Sequence, residues 1–108
     1  MTKPLKPAVK LIREARRLLK RGWTTGYMAR DKNGVYVHYT SKEATCWCLV
    51  GALNRATKGG GCDVWLKVIG EDNIYKVFGT YAMHRINDMA KDVDEVLSYL
   101  KHLEDLCA

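Results

Sequence analysis

The chain has 108 residues, 47% hydrophobic and 28% charged, with a formal net charge of +6. That is enough to bury one core in a single domain, 1–108, without metal or disulfide staples, and Gly and Pro are too few for a disordered chain. No apolar run approaches the roughly 18 residues of a membrane span and no apolar h-region follows Lys3, Lys6 and Lys10, so the expected location is cytoplasmic.

After Pro4 and Pro7, Ala8, Leu11, Ile12, Ala15, Leu18 and Leu19 recur at helical spacing and predict an amphipathic helix. Its outer face carries Lys6, Lys10, Arg13, Arg17, Lys20 and Arg21, and Gly22 stands where a C-cap glycine would end it. Trp23 is expected to fold back onto the core.

Tyr27 to Tyr39 predicts a β-hairpin, because Asn33-Gly34 supplies the positive φ angles of a type I′ turn. Val35, Val37 and Tyr39 would share one face, and Tyr36 and His38 the other. Thr40-Ser41-Lys42-Glu43 matches a capping box and predicts a helix from about Ser41 to Thr57. The uncharged run Cys46-Trp47-Cys48-Leu49-Val50-Gly51-Ala52-Leu53 lies inside it. A helix apolar on every side belongs at the centre of a small fold. Gly51 costs that helix about 1 kcal/mol of propensity, so another element is expected to approach it closely.

Gly59-Gly60-Gly61 breaks the chain, and Asp63 is placed to cap a short helix through Val64–Ile69 ending at Gly70, although the run also suits a strand. Ile74–Phe78 is equally ambiguous. Ala82, Ile86 and Met89 fall on one helical face. Asp92-Val93-Asp94-Glu95 repeats the capping pattern, and Val93, Val96, Leu97, Leu100, Leu103 and Cys107 make the apolar stripe of a last helix that should close over the first and central ones. The fold class is therefore α+β and mostly helical.

Trp23, Ala29-Arg30-Asp31 before the Gly34 turn, Trp47-Cys48-Leu49-Val50-Gly51-Ala52-Leu53, Asn87-Asp88 and Asp94-Glu95-Val96-Leu97 resemble a family of small uncharacterised domains in bacteria and their phages. Ile86 departs from the aromatic residue such domains place before Asn-Asp. The resemblance implies a compact helical domain with a hairpin, from a phage or actinobacterial accessory gene, and no assigned activity.

Cys46, Cys48, Cys62 and Cys107 are expected as reduced thiols, since two lie in the most apolar run and nothing points to secretion. On the expected helix Cys46 and Cys48 would point to nearly opposite sides and could not share a zinc with His38, His84 or His102. Cys48, His84 and Asp88 supply the parts of a thiol nucleophile, but burial of Cys48 argues for packing. Gly59-Gly60-Gly61 lacks the Lys-Ser/Thr of a phosphate loop. Asn87-Asp88 is expected to tie the chain to Gly51-Ala52 or to the start of the last helix. No catalytic residue, metal site or cofactor is assigned.

Charge gives the best functional lead. Residues 1–32 carry ten Lys/Arg against Glu14 and Asp31, whereas residues 71–108 carry four against eight acids. Lys6, Lys10, Arg13, Arg17, Lys20 and Arg21, with Tyr36 and His38, are the expected binding residues. The expectation is a non-enzymatic accessory protein that engages an acidic host protein or nucleoprotein complex, for example a defence inhibitor of the anti-CRISPR type. Direct nucleic-acid binding and a small Cys/His enzyme are the alternatives, and no membrane partner is expected, because the stripe lacks large apolar anchors.

Overall fold

Pro7 takes the first position of α1 (Pro7–Arg21), where a missing N–H costs nothing, and Ala8, Val9, Ile12, Ala15, Leu18 and Leu19 are its buried face. The computed structural model describes residues 5–108, so Lys3 and Pro4 lie outside the described residues. Gly22 ends α1, but not as a left-handed cap: its φ of −174° is extended backbone. Its lack of a side chain serves a close approach instead, since a Cβ there would lie 2.2 Å from the Thr45 carbonyl oxygen.

The expected hairpin is replaced by a different pairing. The Asp31–Gly34 reversal forms, with the Asp31 carboxylate accepting from the Asn33 and Val35 amides at 2.9 Å each. Only Gly34 has positive φ there, so the turn is not type I′. The returning chain makes one bridge, Arg30 to Tyr36, and then leaves. Val35 is exposed, while Val37 and Tyr39 are partly buried on the core. The sheet is instead β1 (Ala29–Arg30) antiparallel to β2 (Cys46–Trp47), with Ala29 opposite Trp47.

That pairing also corrects the central helix. Cys46 and Trp47 are extended, the Trp47 amide donates to the Gly22 carbonyl at 3.0 Å, and its carbonyl accepts from Thr24 at 3.0 Å. Thr, Cys and Trp are weak helix formers, so sheet bonds and burial of the Trp47 indole override the capping box at Thr40. Ser41 and Glu43 form a local turn, the Ser41 hydroxyl accepting from the Glu43 amide at 3.1 Å. Helix α2 starts eight residues later than expected, at Leu49, and runs to Ala56. Its cap is Cys48, whose sulfur accepts from the Gly51 amide at 3.3 Å.

Both ambiguous runs are helical, as α3 (Gly61–Ile69) and α4 (Glu71–Phe78), with Gly70 at φ 98° turning the chain between them. Gly60, not Asp63, holds the cap position of α3, and Asp63 sits in its first turn. Next come α5 (Met83–Met89) and α6 (Val93–Cys107). Asp92 caps α6 by accepting from the Glu95 amide at 3.1 Å, and the Glu95 carboxylate reaches back to the Lys91 amide at 2.8 Å. Helix α2 is central, packed by α1, α3, α5 and β2. Helix α6 closes mainly over α1 and α4. Among the described residues no helix is long and apolar enough to cross a membrane.

Candidate functional site

The apolar face of α1 forces its cationic face outward, and Lys6, Lys10, Lys20 and Arg21 are exposed with no ion pair among the described residues. Arg13 and Arg17 are engaged within the fold. Arg17 forks onto Glu14, its Nε 2.9 Å from Oε2, and this bond holds the Glu14 carboxyl below its usual range. Arg13 Nε and Arg16 Nη1 donate to Glu104 of α6 at 3.1 and 2.8 Å. Part of the polarity along the chain is therefore neutralised inside the molecule, where basic α1 meets acidic α6.

Glu104 is only 4% exposed. Burial pushes its pKa up, but the hydrogen bonds and charges of Arg13 and Arg16 outweigh that and hold it below 4.5. A carboxylate whose pKa is depressed by folding stabilises above the unfolded value and loses that contribution as pH falls through the folded one. Glu104→Gln should therefore lower stability at neutral pH by about 1–2 kcal/mol, a modest figure because Arg13 is half exposed. In urea melts the gap to the wild type should narrow as pH falls below the ordinary glutamate range, and a gap that acid leaves unchanged would remove the ion pair from the account.

A second feature is a groove of about 370 Å³ lined by Gly26, Tyr27, Met28, Tyr36, Cys48, Val50, His84 and Asp88. Buried Cys48 and half-buried Val50 form its floor, and the exposed side chains of Tyr27, Met28, Tyr36, His84 and Asp88 its walls. Tyr27 and Tyr36 meet edge to face, centroids 5.3 Å apart at 76°. The Arg30 guanidinium lies 4.5 Å from the Tyr27 ring centre and donates to Thr24 Oγ1 and the Gly34 carbonyl at 2.9 Å each. His38 is not part of the groove: it bonds Thr40 Oγ1 at 2.7 Å and stacks on Tyr39.

Asn87 and Asp88 fasten this region. Fully buried Asn87 accepts from the Trp23 indole at 2.7 Å and the Leu49 amide at 2.9 Å, and donates to the Thr24 carbonyl at 3.1 Å. Asp88 Oδ1 accepts from the Gly26 amide at 3.1 Å. The pair thus ties the loop after α1 to the start of α2, rather than to Gly51-Ala52 or α6.

Cys48, His84 and Asp88 do line one groove, yet no hydrogen bond joins His84 to either among the described residues. Burial pushes the Cys48 thiol up and the Asp88 charge adds to this, while the Gly51 and Val50 amides at the helix start pull less strongly the other way. Native protein treated with iodoacetamide should label at exposed Cys62 well before Cys48. Mass mapping that finds Cys48 first would reverse this assignment. Contrary to the expectation from sequence, the two thiols do not lie on opposite sides of one helix, since Cys46 is in β2 and Cys48 caps α2. Among the described residues no three His, Cys, Asp or Glu side chains gather where they could hold a metal ion.

The sequence reading missed the groove's Gly26, Met28 and Val50, and it missed Glu104. An acid beside Leu103 in an apolar stripe was the available signal for Glu104, because such a group needs a cationic partner. No curated protein matches the chain, and no solved structure does. The sequence match covers residues 3–105, and on it the chain belongs to the Family of unknown function (DUF6197).

Proposed function

We propose that this chain is a non-enzymatic basic binding protein that engages an acidic protein or nucleoprotein complex through the outer face of α1. The observation that carries the reading is the exposure of Lys6, Lys10, Lys20 and Arg21 on a helix whose opposite face is buried. Four exposed cations with no ion pair among the described residues steer an acidic surface and give salt-dependent association. The reading extends to a bacterial or phage accessory protein acting in the cytoplasm on a host factor, of the kind that blocks a defence complex.

Reversing Arg13 is a poor probe, because it breaks the Glu104 pair along with any contact outside. The variant to make is Lys10→Glu/Lys20→Glu/Arg21→Glu, compared with wild type in pull-downs from nuclease-treated host lysate. Wild type should retain a discrete protein that the variant loses while its circular dichroism and melting stay unchanged. Equal retention by the variant sinks the α1 surface. Recovery that disappears with nuclease and weakens steeply with salt moves the helix onto phosphates, the nucleic-acid reading.

A second reading is favoured by the meeting of Cys48, His84 and Asp88 in one groove, with the thiol at a helix start. A small Cys/His enzyme would use Cys48 as nucleophile. Its requirement is a reactive thiol, which the labelling experiment above tests directly.

A further inference from the structure

We propose that the groove between Tyr27–Met28, Tyr36 and α5 takes a lysine or arginine side chain of a partner polypeptide. This goes beyond the α1 reading, since it uses a different surface and the opposite charge. The groove is an acidic, aromatic spot on a chain of net charge +6: its lining holds the Asp88 carboxylate and neither lysine nor arginine. Arg30, which lies against Tyr27, donates to Thr24, Gly34 and Thr25 and makes no ion pair with Asp88 among the described residues.

The lining is matched to an amphipathic occupant. Met28, Val50 and the apolar part of Cys48 offer a surface for a methylene stem, and the stem of a basic side chain is its apolar portion. Asp88 Oδ1 is held by the Gly26 amide and the Asn87 side chain, so its carboxylate is fixed in place, and Oδ2 has no partner among the described residues. A cationic head there makes a charge-assisted hydrogen bond. Tyr36, 52% exposed and oriented edge to face with Tyr27, adds a ring that attracts the same cation. Arg30 already covers the Tyr27 ring, so the incoming cation's aromatic partner is Tyr36.

The test titrates ¹⁵N-labelled protein with N-acetyl-lysine N-methylamide, its arginine counterpart and the neutral norleucine isostere, following the amides of Gly26, Met28, Val50 and His84. The basic compounds should saturate with a Kd on the order of 1 mM, as expected for so few atoms. Norleucine should bind about tenfold more weakly. Asp88→Asn keeps an oxygen for the Gly26 amide and should lose most of the preference for the basic compounds with the spectrum otherwise unchanged. Tyr36→Leu keeps apolar cover and should weaken the basic compounds more than norleucine. Norleucine binding as tightly as lysine, binding unaffected by Asp88→Asn, or no saturable shift by about 50 mM overturns the proposal. None of these results depends on whether α1 binds an acidic partner.

Discussion

Gly51→Ala should lower the unfolding free energy by about 2–3 kcal/mol, the reverse of what helix propensity expects. On propensity alone, alanine in a helix interior gains about 1 kcal/mol over glycine. The added Cβ, however, would lie 1.9 Å from the Met28 carbonyl oxygen and 2.8 Å from its carbon. That oxygen is not free to move aside, because it accepts from the Cys48 amide at 3.2 Å, just before α2 begins. Relief requires β1 and α2 to separate by roughly 1 Å, which opens contacts around Ala29 and Trp47. The clash therefore wins over the propensity gain. Because the obstacle is backbone, adding Met28→Ala should not rescue stability. Gly34→Ala is the control: its φ is +80° with nothing within 4 Å of a Cβ, so it should cost only the left-handed strain of about 1 kcal/mol. Denaturant melts of the three variants check the order. A Gly51→Ala protein as stable as wild type would remove the close approach of Met28 to Gly51 from the account.

Local regularity decided what could be read before the fold was known. The stripes of α1 and α6 repeat over 15 residues each, and their faces follow directly from that period. The need for a close approach at Gly51 was also legible, since a glycine inside a helix asks for a reason. The start of α2 was not, because two local signals competed with distant partners. Thr40-Ser41-Lys42-Glu43 is a sound capping sequence, yet Trp47 gains more from its bonds to Gly22 and Thr24, more than 20 residues away in sequence. No local pattern reports such a bond. The candidate site divides in the same way. Exposed cations on α1 follow from its periodicity, whereas the groove gathers residues from four separate segments, at Gly26–Met28, Tyr36, Cys48–Val50 and His84–Asp88. Arg13 looked like surface charge and serves Glu104 instead, because the sequence does not say which helices face each other.

Asn87→Ala should lower stability by about 3–4 kcal/mol with little cavity to blame. Asn87 is fully buried, and its amide group serves two other chain segments at once, Trp23–Thr24 and the start of α2 at Leu49. Truncation strands the Trp23 indole N–H, the Leu49 amide and the Thr24 carbonyl, bonded to it at 2.7, 2.9 and 3.1 Å. The Leu49 amide is an orphan donor of the first turn of α2, where no helical carbonyl is available to replace the lost oxygen. Each stranded buried group costs about 1–3 kcal/mol, reduced where half-buried Trp23 lets water in. Trp23→Phe removes the indole N–H alone and should cost about 1 kcal/mol. With phenylalanine already in place, Asn87→Ala has one donor fewer to strand, so the double variant should lose less than the sum of the two single changes. Strict additivity would mean that the 2.7 Å contact is not an energetic link. A coupling of about 1 kcal/mol would place the junction of α1, α2 and α5 under the control of this one side chain. The groove would follow it, since Gly26 and Asp88 are fastened through the same loop.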